Sequence, residues 1–227
     1  MMYGENMKQK WQLWIIKFYT KRFKKKFPKF AKKQKVNLPQ NWELILQEAI
    51  EYARIDNRNI LFYYEWDENK MNANAALRFC IRINHWWALR LITDNRELVK
   101  DTFRAVVGHE CAHDISCRMF FTFTKTQKFK SHINEIIADV YGMQLADFNR
   151  ERALEIMKER EKYSPNRYMG ASTHPSAVVR TRFVETYQVV CEDMIRELAD
   201  GMGCKKEKEI RYVINKFSPY FIEEKGE

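Results

Sequence analysis

Residues 106 to 116, VVGHECAHDIS, hold two histidines four apart, with a glutamate directly after the first. Four residues of α-helix turn about 400° and rise about 6 Å, so His109 and His113 project from one face. Two imidazole nitrogens so placed can grip one Zn²⁺. Glu110 stands one step round the same helix, where its carboxylate can serve a zinc-bound water as general base without being a ligand. The flank TDNRELVKDTFRAVVG predicts a helix entered at Asp94 as N-cap with Glu97 three residues on. Leu98, Val99, Phe103, Val106 and Val107 supply its apolar stripe. The plainer alternative is two surface histidines that happen to flank a glutamate.

A catalytic zinc needs a third protein ligand. The HExxHxxGxxH arrangement is excluded, because Ser116 and Met119 stand where its glycine and third histidine belong. The better source is SHINEIIADVYG, residues 131 to 142. A helix beginning near Ser131 places Glu135 and Asp139 four apart on one face. Glu135 can then bind zinc, while Asp139 reaches a ligand histidine from behind and fixes its tautomer. A solvated acidic pair is the bland reading. Against it, Ile133, Ile136, Ile137, Ala138, Val140 and Tyr141 leave little of this helix exposed, and carboxylates in such a run require partners. His132 is the rival ligand, at the frayed start of the same helix. His85, in a predicted hairpin turn beside Trp86 and Trp87, reads as an edge or packing residue.

A third segment, STHPSAVVR, reads as a loop entering a helix, with a capping hydroxyl near Thr173 and Pro175 at the first helical position. His174 would then sit near the positive end of a helix dipole, a suitable place to stabilise a developing oxyanion. Its alternative role is to satisfy the helix terminus.

HECAH, then NEIIAD with its ExxxD spacing, then STHPSAVVR together resemble the gluzincin metallopeptidases of the HtpX-like and CAAX prenyl endopeptidase family. The resemblance covers about residues 72 to 182. It implies a zincin-like metallopeptidase domain in which Glu135 is the third zinc ligand, Asp139 supports a ligand histidine and His174 holds the oxyanion. Arg180, six residues after His174, is then expected near the site. Members of that family carry an Asn-Ala segment leading into a substrate-binding edge strand, and MNANAALRF is similar, with Asn74 or Asn72 as the match. Two features depart from the pattern. Only 21 residues separate His113 from Glu135, a short gap shared with the ImmA-like peptidases, and the spanning helices of HtpX and the prenyl endopeptidase have no counterpart.

The elements that must position these groups can be read around them. At 227 residues and 45% apolar, the chain is long and apolar enough for one substantial core. NLPQNWELILQEAIEYARI predicts an amphipathic helix. NILFYYEW, ALRFCIRI and WWALRLI read as strands, with DENKMNANA and Asn84-His85 as turns, and everything beyond residue 94 reads as helix and loop. The fold class is therefore α+β, mostly helical, with a small antiparallel sheet, as one domain over residues 36–227.

Residues 1–35 read as a separate basic, aromatic arm. They hold twelve Lys or Arg against one Glu, so a total net charge of +10 leaves the rest of the chain nearly neutral. Trp11, Trp14, Ile15 and Phe18 follow helical spacing, and Phe23, Phe27 and Phe30 interleave with lysines. That pattern suits an anionic membrane surface. Nucleic acid is the less favoured partner, and packing of the aromatics on the body of the protein is the plain one. No apolar run of spanning length and no signal-peptide pattern is present, and five scattered cysteines without a CxxC read as free thiols. The expected location is the cytoplasm, with peripheral attachment to a membrane.

The reading that joins these expectations is a zinc-dependent endopeptidase acting on an extended peptide substrate. The alternative is a non-enzymatic adaptor for membrane or nucleic acid, with a structural zinc or none. Glu110 separates the two, because a structural zinc has no use for a carboxylate that is not a ligand.

Overall fold

The computed structural model describes residues 2–64, 71–77, 79–116, 127–163, 168, 170 and 174–221. They form a mostly helical α+β protein with a three-stranded mixed sheet, divided into two compact units, Met1–Arg104 and Ala105–Glu227. No helix among the described residues is long and apolar enough to cross a membrane.

In the first unit, α1 (Met2–Lys33) is followed by α2 (Trp42–Ala53), β1 (Asn59–Tyr63), β2 (Ala73–Leu77), β3 (Cys80–Asn84) and α3 (His85–Thr93). The first turns of α4 (Glu97–Ser116) complete it. Phe23, Phe27 and Phe30 recur at helical steps and are buried, with Ala31 beside them. Phe23 stacks on Phe62 of β1 at 5.6 Å between ring centroids, and Phe27 meets Trp42 of α2 at 5.3 Å. Three of the eight aromatic residues in the first 35 are thus core of this unit, while Trp11, Trp14 and Phe18 stay exposed.

The sheet differs from the antiparallel expectation. Its order is β1-β3-β2, with β1 parallel to β3 and β2 antiparallel to β3. ALRFCIRI is not one strand, because a turn near Phe79 splits it between β2 and β3. The middle place belongs to β3, where Cys80, Ile81, Ile83 and Asn84 are all fully buried. A strand covered on both faces reads as a continuous run rather than an alternation, and CIRIN is closer to that. Part of the expected turn DENKMNANA, residues 67 to 70, lies outside the described residues, as do residues 65 and 66 of NILFYYEW, and its last three residues belong to β2 instead of a turn.

WWALRLI is not a strand either. It belongs to α3, and Asn84 with His85 forms a strand-to-helix junction instead of a hairpin turn. The aromatic and β-branched content favoured a strand, but Trp87, Ala88 and Leu91 fall at i, i+1 and i+4 and bury one helical face. Asp94 also differs from expectation: it is the C-cap residue of α3, and α4 starts three residues later, at Glu97. Its carboxylate accepts from the backbone N–H of Arg96 at 3.3 Å, which draws it into that connection.

His85 is a packing residue, as its neighbours suggested. It lies 4.2 Å from the Phe30 ring and 4.5 Å from Tyr64, and burial lowers its pKa to about 4. Its folded pKa is below the ordinary 6.5, so the unfolded chain takes up the proton more readily. This contribution to stability is present above pH 6.5 and is lost as pH falls towards 4. Between pH 7 and 5 the first unit should lose roughly 2 kcal/mol on this account. Denaturant melts at both pH values check this: His85→Phe should flatten that part of the pH dependence, and an unchanged slope would clear His85 of the effect.

In the second unit, the rest of α4 joins α5 (Gln127–Leu145), α6 (Arg150–Glu161), α7 (Ala177–Thr186), α8 (Glu192–Gly201) and α9 (Glu207–Phe217). Asn149 caps α6 by accepting from the N–H of Arg152 at 2.9 Å, and Ser176 caps α7 by accepting from Val179 at 3.3 Å. The capping hydroxyl is therefore Ser176, and Pro175 stands before the cap instead of at the first helical position. Thr173 lies outside the described residues. Ile133, Ile136, Ile156, Met194, Ile195 and Phe217, contributed by α5, α6, α8 and α9, are buried in the core of this unit.

Candidate metal centre

The second unit places α4 and α5 in direct contact. A Cβ added at Gly142 of α5 would lie 2.7 Å from the backbone N of His109 and 2.8 Å from the carbonyl carbon of Gly108. Only a residue without a side chain allows that approach. Glu135, Asp139 and Gly142 follow one another at steps of four and three, so one face of α5 presents both carboxylates to the α4 face that carries the histidines. The close crossing at Gly142 brings them within reach.

Nε2 of His109 lies 3.5 Å from one carboxylate oxygen of Glu135, and Nε2 of His113 lies 3.6 Å from the other. Tetrahedral zinc with bonds of about 2.0–2.1 Å keeps its ligand atoms about 3.3 Å apart, so this spacing fits such an ion. A second grouping overlaps the first, since ligand-capable atoms of His109, Glu110 and His113 lie within 4.8 Å of one another. Two carboxylates are thus candidates for a third ligand: Glu135, whose two oxygens each face one Nε2 atom, and Glu110, which shares the tighter group with both histidines. The buried Glu110 carboxylate borders the same space. His132 is buried on α5 one turn before Glu135, and neither His132 nor Glu135 belongs to that three-residue group. Because α5 begins at Gln127, His132 does not lie at a frayed helix start.

The far side of each histidine is also held. Asp139 Oδ1 is 2.9 Å from His109 Nδ1, which fixes the ring so that Nε2 faces Glu135. Asn134 lies 3.4 Å from His113 Nδ1, and its own Oδ1 is buried without a hydrogen-bond partner. Turning that amide lets Oδ1 accept from Nδ1–H, which directs the lone pair of His113 to Nε2, the nitrogen that faces Glu135.

Asp139 is the electrostatic pivot of this unit. Its side chain is fully buried, and Arg180 grips it with Nε at 2.5 Å and Nη2 at 2.7 Å while Arg160 Nη1 donates at 2.9 Å. Burial alone would raise its pKa, yet the two guanidinium charges and His109 hold it well below the usual carboxylate range. Glu135 behaves alike: burial opposes ionisation, and His109 with Arg180 brings it down to about 2. Burial also lowers His113, and the neighbouring His109 adds to that, to about 3. For His109, burial is outweighed by Asp139 and Glu135, which raise it to about 9. Ionised Glu135 and neutral His113 are the forms that ligate a cation, and a cation at His109 Nε2 would take the place of a proton.

His174 and Arg180 join the same cluster. His174 Nε2 stands 3.5 Å from Glu135, with half of its side chain exposed, and Arg180 Nη1 stands 3.6 Å from Glu135. The structure therefore gathers His109, Glu110, His113, Glu135, Asp139, His174 and Arg180. Asn74 belongs to the other unit, on β2, where its Oδ1 accepts from Arg82 Nε at 2.9 Å.

Sequence reasoning missed Arg160, Asn134 and Gly142. Arg160 had an indirect signal, since a fully buried carboxylate commonly needs more than one cationic or N–H partner. Asn134 had another, because a ligand histidine requires an acceptor at its far nitrogen.

No family model matches the chain, and no curated protein or solved structure is significantly similar to it.

Proposed function

We propose that the chain is a zinc-dependent endopeptidase, with the metal held by His109, His113 and Glu135. The observation that carries this reading is the convergence of both Nε2 atoms on the Glu135 carboxylate at 3.5 and 3.6 Å, with Asp139 fixing the tautomer of His109. Zinc, when bound, supplies a Lewis acid that polarises the scissile carbonyl and makes water a nucleophile near neutral pH. Glu110 takes a proton from the attacking water and returns it to the amine nitrogen as the C–N bond breaks. His174 donates a hydrogen bond to the oxyanion that forms at the carbonyl. Arg180 and Arg160 keep Asp139 ionised, so that His109 retains its orientation.

A second reading has one observation in its favour. The 3.5 Å from His174 to Glu135 is also a plausible ligand-to-ligand distance, so His174 could close a four-ligand structural site. The half-exposed His174 side chain favours a group that meets substrate.

Metal analysis of purified variants, paired with hydrolysis of dye-labelled casein, tests both readings. Wild type should carry about one zinc per chain, and Glu135→Ala should lose it. His174→Ala should keep its zinc while hydrolysis falls on the order of 10²-fold, the scale of one lost oxyanion donor. Loss of zinc from His174→Ala would establish the closed site and end the peptidase reading. Full zinc retention by Glu135→Ala would remove Glu135 as a ligand and bring Glu110 forward, with His132 as the rival.

A further inference from the structure

The outer face of α1 lies away from the side that buries Phe23, Phe27 and Phe30; at its edge Trp11 meets Phe79 edge-on at 5.7 Å and keeps about half of its surface exposed. Trp11, Trp14, Phe18, Lys21, Lys25, Pro28 and Lys32 follow one another at alternating steps of three and four, and all are exposed. Such steps draw a single row along a helix, here about 32 Å long. Trp11 is 51% exposed, Trp14 61% and Phe18 44%, and the Trp14 and Phe18 rings stack at 5.6 Å. Exposed Lys10, Lys17 and Lys29 flank the row. Scattered surface aromatics need no explanation, but three in one row, continued by lysines, form a patch.

Whatever covers this row must take apolar rings at one end and carry negative charge along the rest. A second copy of the helix would set Lys21, Lys25 and Lys32 against like charges. Nucleic acid would meet the lysines yet offers no apolar layer continuous with its phosphates. A bilayer with anionic lipid offers both: phosphates at the surface, and a headgroup boundary where indole rings settle.

We propose that the outer row of α1 docks the protein on an anionic phospholipid bilayer, with Trp11, Trp14 and Phe18 entering the headgroup boundary and the lysines resting on lipid phosphates. The orientation follows from the row itself. The aromatic end of the helix inserts while Phe23, Phe27 and Phe30, on the opposite side, stay in the core of the first unit.

Sedimentation of the full-length chain with vesicles tests this. Binding should be strong with phosphatidylcholine vesicles containing about 30% phosphatidylserine and weak with phosphatidylcholine alone. Each lysine near such a surface adds roughly fivefold to partitioning, so Lys21→Gln with Lys25→Gln and Lys32→Gln should reduce binding on the order of 100-fold. Trp11→Ala with Trp14→Ala should remove the part of the binding that survives high salt, with circular dichroism confirming that the exposed substitutions leave the fold intact. Equal binding to neutral and anionic vesicles, or unchanged binding of the lysine variant, would overturn the proposal. So would a short nucleic-acid duplex that binds more tightly than the vesicles and is indifferent to the tryptophan substitutions.

Discussion

Glu110→Gln should retain zinc and fold while losing peptide hydrolysis on the order of 10²- to 10⁴-fold, the range for a removed general base. Glutamine keeps the shape and much of the hydrogen bonding of the buried side chain and removes only its capacity to take a proton. Glu110 is not needed to hold the metal if Glu135 completes the ligand set, so metal content should stay at the wild-type value. The positive charge of Arg180 feels Glu110, but Asp139 and Glu135 contribute more to it and remain in place. Zinc analysis and thermal melting, run beside casein hydrolysis, separate the outcomes. Activity at the wild-type rate would end the peptidase reading. Loss of zinc would make Glu110 a ligand and Glu135 a bystander.

Gly142→Ala should sharply weaken metal binding although it touches no ligating atom, only the backbone that carries His109. Its new Cβ would meet the backbone of Gly108 and His109 at 2.7 to 2.9 Å, and backbone in a helix cannot turn aside as a long side chain can. The helices must separate by several tenths of an ångström, while metal–ligand distances tolerate about 0.2 Å. The expected loss of zinc affinity is at least the 10- to 100-fold typical of disturbed supporting groups, with roughly 1–3 kcal/mol of overpacking in stability. Chelator competition and thermal melts measure the two parts. Gly201→Ala is the control, because nothing lies within 4 Å of the added Cβ there. Unchanged zinc affinity in Gly142→Ala would show that the crossing of α4 and α5 does not position the ligands.

The candidate site was readable to the extent that helical repetition encodes it. HECAH and NEIIAD each carry a step of four, and the structure turns each pair to one side of its helix, with Glu135 and Asp139 meeting His109. What repetition does not encode is the distance between helices. Gly142 closes the quoted segment, yet its importance depends on the backbone it faces. Arg160 reaches Asp139 from a different helix, 21 residues away, with no spacing to announce it. The sheet was misread for a local reason: tryptophan and isoleucine favour strands by composition, and in WWALRLI that preference yielded to the burial of a helical face. Register was hidden too, because a parallel neighbour for β1 arrives only after β2 has been laid down.

The placement of β3 between β1 and β2 bears on how the chain is made. The central strand is the last of the three to be synthesised, and α1 precedes all of them. Until β3 emerges, Phe62 has no completed sheet around it, and Phe23, Phe27 and Phe30 have only fragments of their eventual surroundings. Nascent aromatic helices and unpaired strands are the species that aggregate. The lysines at 21, 24, 25, 26, 29 and 32 interrupt this part of the helix so often that no run of five uncharged residues forms between Phe23 and Lys33. Charge spaced this closely is the pattern of gatekeeper residues, whose repulsion keeps newborn segments apart.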